Sequence, residues 1–166
     1  MKNASLSFAA VITFLSSIIA AGPAFAGGAN GASGANGAVE VGGHWISDSY
    51  TIEVVANEAV VDTDTLMRAA EGAADAWNQT GLGPQIVVVP APQGVTGGFA
   101  YDHHNTLSIV DQAWPADHQF AGLTQRALQG AMIVETDSII NAVDWQFCNG
   151  DEPHAIDLQS VLTHEI

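Results

Sequence analysis

The sequence predicts an α/β (α+β) domain: a twisted mixed sheet of four or five strands, one long helix packed against it, and the start of a second helix beneath. Three observations carry that expectation. Short runs rich in Val, Ile and Thr occur around Tyr50, Gln85 and Thr106, and a helical pattern starting at Asp62 lies between the first two. The apolar spacing changes between them, from alternation in the runs to helical intervals after Asp62. The closing stretch, Asp157 to Ile166 or "DLQSVLTHEI", returns to helical spacing.

Three segments precede or compose this architecture. Residues 1–26 read as a signal peptide: Lys2 gives a positive start, Leu6 to Ala21 is an apolar run, and Ala24-Phe25-Ala26 is a small-x-small cleavage pattern. A spanning anchor wants about 20 strongly apolar residues, and this run is shorter and broken by Ser16, Ser17 and Gly22. No later run is long enough to span a bilayer, and no Cys marks a lipoprotein site. The expectation is a secreted chain, cut after Ala26, with no stable membrane anchor. Residues 27–43 hold seven glycines in 17 positions and read as a flexible linker, too poor in side chains to offset their ordering entropy. Residues 44–166 have the length and apolar content of one small domain.

Within that domain the elements follow in order. Tyr50 to Val55, "YTIEVV", alternates as a strand. Leu66, Met67, Ala69, Ala70, Ala73, Ala74 and Trp77 recur at helical spacing, with a cap at Asp62, Thr63 or Asp64 and Gly81 placed for a left-handed stop. The Ala-rich face predicts close packing on a sheet, with Trp77 as a core anchor. Gln85 to Val89, between two prolines, reads as a strand buried on both faces, and Thr106 to Val110 as another. Gly122 to Thr124 suggests a short edge strand. Ala131 to Val134 and Ile139 to Ala142 flank "ETDS" and read as one interrupted strand or two joined by a bulge. Trp145 to Ala155 reads as loop, and the final helix follows.

Charge excludes one class of partner. Without the leader, two basic residues (Arg68, Arg126) stand against 18 acidic ones, a formal charge of −16, so a nucleic-acid surface is not expected. The acids are scattered, as on a solvated and mutually repelling surface. Calcium is the alternative use for carboxylate oxygens. Cys148 is the lone cysteine of a chain bound for an oxidising compartment, so it is either free and buried or paired outside this chain.

On a helical wheel Leu158, Val161, Leu162 and Ile166 form one stripe, with His164 beside it on the side shared with Asp157. Glu165 falls inside the apolar arc, where a casually solvated carboxylate would not be put. With this pair the sequence resembles the metzincin clan of zinc endopeptidases, and within it the matrixin-like secreted bacterial forms. The resemblance runs with gaps from about Trp45 to Ile166. It is carried by Ala76-Trp77-Asn78, "NTLSIVD" at Asn105 to Asp111, Gly130 with "IVETDSIIN" at Ile133 to Asn141, Trp145 and, above all, "DLQSVLTHEI". The last is similar to the opening of an active-site helix in which His-Glu is followed by x-x-His. Histidines four apart lie about 40° apart around a helix and can share one zinc, with the intervening Glu placed to take a proton from zinc-bound water. Zinc lowers the pKa of that water to about 7.

The resemblance implies a metzincin-like upper subdomain that cleaves internal peptide bonds with zinc-activated water. His164 would be the first zinc ligand and Glu165 the general base. A protein or peptide substrate would extend an edge strand near Gly122 to Thr124. The other zinc histidines would lie past Ile166, so the resemblance implies a piece truncated within its active-site helix and inactive as it stands. It also implies that Cys148 pairs with a downstream cysteine. Asp102, His103 and His104 form a further candidate cluster for structural zinc or calcium, whereas His44, His118 and His154 read as solvated loop histidines. The alternative is a non-enzymatic secreted acidic module, calcium-binding, whose His164-Glu165 pair is a chance helix end. No Gly-x-Ser-x-Gly elbow or Cys-His arrangement supports a different hydrolase.

Overall fold

A computed structural model describes residues 44, 45, 47–150, 152 and 154–166; the expected signal peptide and linker lie outside the described residues. Its elements are β1 (His44–Trp45), β2 (Ser49–Val55), α1 (Thr63–Asn78), β3 (Gln85–Pro90), β4 (Thr106–Val110), β5 (Gly122–Gln129), β6 (Met132–Asn141), β7 (Phe147–Cys148), β8 (Ile156–Asp157) and α2 (Leu158–Glu165). The long strands run β3-β2-β4-β6 in parallel, and β5 lies antiparallel along the other edge of β6. The short β1 pairs with the start of β6 beside Met132 and Ile133. With it the main sheet has six strands, one more than the upper expectation.

One face of the sheet carries the core. Ile52 and Val54 of β2 share this face with Leu107 and Ile109 of β4 and Ile140 of β6, as the paired registers require. Against them α1 buries Leu66 and the small side chains Ala69, Ala70, Ala73 and Ala74, while α2 buries Leu158, Val161 and Leu162. Small residues let α1 lie close to both β3 and α2. Each fully buried leucine contributes roughly 1.5–3 kcal/mol of transfer free energy, and Leu66, Leu107 and Leu162 are of that kind. The caps match the sequence expectation: Asp62 accepts from the Thr65 amide at 2.9 Å, and Gly81 adopts φ +63° after the helix.

Several elements differ from the sequence expectation. Trp77 is not a core anchor: it is 44% exposed, and its indole Nε1 donates to the Thr163 carbonyl at 2.7 Å, tying α1 to α2. Strand β3 is not buried on both faces: Ile86 is buried on one, whereas Val87 on the other is exposed. Strand β6 is continuous through "ETDS" and carries its bulge just before it, where Val134 is the extra residue between Ile133 and Glu135, which face the adjacent Leu128 and Ala127 of β5. Strand β5 extends well past Thr124, to Gln129. The segment expected as loop after Trp145 contains β7, which pairs with β8, and His44 belongs to β1 rather than to a loop.

The opposite face of the sheet is covered by the connection from β3 to β4 and, at Leu123 and Ile139, by Trp114 of the connection from β4 to β5. Two buried carboxylates of β6 hold the first of these connections down. Asp137 accepts from the Thr106 hydroxyl at 2.6 Å, the Thr106 amide at 3.1 Å and the Ala100 amide at 3.0 Å. Glu135 accepts from the His103 amide. Both acids are almost fully buried, at 4% and 2% exposure. Asn105 completes the attachment, accepting from the Thr136 amide at 2.9 Å and donating to the Thr51 carbonyl at 3.0 Å.

Candidate active-site cleft

The cleft forms where the end of α2 meets β5 and β6. Asp157 starts this helix: its carboxylate accepts from the Ser160 amide at 2.8 Å, the Ser160 hydroxyl at 2.6 Å and the Gly150 amide at 3.0 Å. Burial alone would raise its pKa, but those donors outweigh it and hold the carboxyl below its ordinary range. Two turns further on, the helix delivers His164 and Glu165 side by side to different environments. His164 is exposed, on the wall of a cleft of about 180 Å³. Glu165 is 4% exposed, in agreement with its place inside the apolar arc.

The buried position of Glu165 depends on β5. A Cβ on Gly122 would lie 2.8 Å from Glu165 Cγ and 2.9 Å from its Oε1, so the missing side chain at Gly122 is the space the carboxylate occupies. Thr124, two residues along on the same face, places its hydroxyl 2.7 Å from Glu165 Oε2 and 2.8 Å from the Glu165 carbonyl. Ser138, directly across on β6, puts its hydroxyl 2.9 Å from that of Thr124. With Ser138 as donor, Thr124 is free to donate to Glu165. The second carboxylate oxygen, Oε1, is buried without a hydrogen-bond partner.

These surroundings set the acidity. Burial pushes the Glu165 carboxyl up to about 7, and the Thr124 hydrogen bond opposes that rise only in part. The negative end of the α2 dipole acts in the same direction as burial. A carboxyl that ionises near neutrality can take up and release protons there, which is what general acid–base chemistry needs. Nearby, Tyr50 stacks on Trp45 with ring centroids 4.2 Å apart, and burial raises its phenol to about 12. These rings form an apolar wall to the cleft, together with Trp77 and Ile166.

The other expected site residues disperse. His104 Nδ1 lies 2.7 Å from Glu53 Oε2, the ring of His103 meets Tyr101 edge-on at 5.1 Å, and Asp102 accepts from the His104 amide. The cluster is therefore not drawn onto one point. Among the described residues no group of three or more His, Cys, Asp and Glu side chains stands together as a metal site. His118 pairs with Asp144 at 2.8 Å on the surface. Cys148 is a buried free thiol that donates to the Gly150 carbonyl at 3.0 Å. Thr124, Ser138, Arg126, Glu135 and Asp137 were not singled out by sequence reasoning. The signal was the alternation Gly122-x-Thr124-x-Arg126 and the paired acids of "ETD", each set on one face of a strand.

No protein-family model, no curated protein and no solved structure matches this chain. No helix among the described residues is long and apolar enough to cross a membrane.

Proposed function

We propose that this chain is the upper part of a secreted zinc-dependent endopeptidase in which Glu165 is the general base and His164 the first zinc donor. The single observation that carries the reading is the carboxylate of Glu165, buried against the edge strand β5 with Oε1 unpartnered. Desolvating a polar atom without a partner costs about 1–3 kcal/mol, a cost expected where a second molecule supplies the partner. A water molecule in the cleft would supply it. The resemblance of "DLQSVLTHEI" to a zinc-protease helix supports the same assignment, and the proposed secretion rests on the leader pattern of residues 1–26.

The protein groups act in three ways. Among the described residues strand β5 pairs with β6 alone, so its outer edge offers backbone donors and acceptors to an extended peptide. Glu165 accepts a proton from water as the water oxygen bonds to the scissile carbonyl carbon, then returns it to the amine nitrogen as the C–N bond breaks. The Thr124 hydroxyl holds Oε2 and fixes the carboxylate plane. A catalytic zinc takes three protein ligands, whereas His164 is the sole imidazole lining the cleft. The described residues thus do not complete a zinc centre, and two further donors would have to come from elsewhere.

Cleavage of internally quenched peptides by the full-length protein supplied with zinc tests the reading. Glu165→Gln is expected to lower kcat/KM by about 10²- to 10⁴-fold while leaving the fold intact. Cleavage that survives E165Q unchanged, or a folded zinc-loaded protein that cleaves none of the peptides, contradicts it.

A further inference from the structure

The chain has three basic residues in its whole length, and they have different fates. Lys2 lies outside the described residues, and Arg68 donates to Thr65 within α1 at 2.9 Å. Arg126 lines the cleft beside His164 and Glu165. It is half-buried, yet the two ion pairs among the described residues both use histidines. In a chain with 18 acids, Arg126 forms no ion pair with an acid among the described residues. Nor does it pair with Glu165, whose carboxylate accepts from the Thr124 hydroxyl instead.

Strand geometry fixes its place relative to the reactive carboxylate. Gly122, Thr124 and Arg126 lie on one face of β5, upstream of the irregularity at Ala127 and Leu128. Thr124 touches Glu165, and Arg126 stands one strand repeat further along, about 7 Å away. Thr136 lies directly across from Arg126 on β6 and also lines the cleft, which adds a hydroxyl donor beside the guanidinium.

We infer that Arg126 is a specificity determinant that selects peptides bearing Asp or Glu two residues away from the residue lying beside Thr124. The inference rests on the endopeptidase reading for the peptide and its strand-like pose. A peptide added to the free edge of β5 keeps the same two-residue alternation, so side chains on its cleft face meet Thr124 and Arg126 in succession. A guanidinium presents a planar fork of donors that a carboxylate accepts in two parallel bonds. A polyanion is a poor alternative, because a single cation in a chain of this charge leaves further phosphates unpaired and repelled.

The test uses two sets of blocked hexapeptides that differ only in carrying Asp, Asn or Lys two residues to one side or the other of the central bond. Their affinities are measured by calorimetry at about 0.15 M salt, where a screening length of about 8 Å confines the comparison to the local contact. In one set the Asp peptide is expected to bind roughly tenfold tighter than the Asn peptide, with Lys weakest. Arg126→Gln abolishes the preference, and Arg126→Lys keeps part of it, which guards against a variant that merely misfolds. Equal binding of Asp and Asn peptides in both sets, or a preference that survives R126Q, overturns the inference. Cleavage that remains sensitive to E165Q in that case leaves the endopeptidase reading standing, whereas loss of both overturns both.

Discussion

At the scale of the residue, the cleft concentrates its free-energy cost in Glu165. Its carboxyl moves from 4.5 to about 7 on folding, so the folded chain holds this proton more tightly than the unfolded one. Below the unfolded value both states are protonated and the burial is harmless. Between the two values only the unfolded chain ionises, and stability falls by roughly 3 kcal/mol as pH rises through that window. Above the folded value the loss is complete. Glu135 and Asp137 are also raised, chiefly by burial, and give slopes of the same sign, whereas the lowered Asp62 and Asp157 give the opposite one. The informative quantity is therefore the difference between wild type and E165Q. Urea unfolding should show the two close in stability near pH 4 and E165Q ahead by roughly 1–3 kcal/mol near pH 8. A constant difference across that range would show that Glu165 does not titrate in it.

At the scale of the element, α2 is an eight-residue helix, shorter than the roughly 12–15 residues an isolated helix needs to persist in water. Its persistence comes from the Asp157 cap, from burial of Leu158, Val161 and Leu162, and from the Trp77 bond to Thr163. Asp157→Ala should cost about 0.5–2 kcal/mol and speed amide exchange in residues 158–165 first. A variant with unchanged melting and unchanged exchange in α2 would show that packing alone sets the helix. Both helices were legible in the sequence because their apolar residues repeat at helical spacing between recognisable caps. The reach of β5 past Thr124 was not, since Gln125 and Arg126 break the apolar pattern and only pairing with β6 gives them a register. Trp77 misled because an indole that bridges two helices by its N–H has the same spacing as one that fills a core. Glu165 was legible as a misplaced charge in an apolar arc. Its partners were not, because Gly122 and Thr124 lie more than forty residues upstream and meet it only through the sheet.

At the scale of the whole molecule, the two faces of the sheet treat buried carboxylates in opposite ways. On the outer face Glu135 and Asp137 are met by backbone amides and the Thr106 hydroxyl, and they fasten a connection to the sheet. On the helix face Glu165 receives one hydroxyl and has an oxygen left over. The same fold thus uses two acids as fasteners and leaves a third with an unpartnered oxygen at the cleft. Neighbouring acids add to burial in disfavouring ionisation of Glu135 and Asp137, whereas burial alone raises Glu165. The most direct measurement of this distinction is a pH titration of the Glu165 side-chain carboxyl carbon by NMR. A midpoint of about 7 is expected; a midpoint at the ordinary value of 4.5 would mean that Glu165 is a solvated helix-end charge, and would contradict its assignment as the proton acceptor of the cleft.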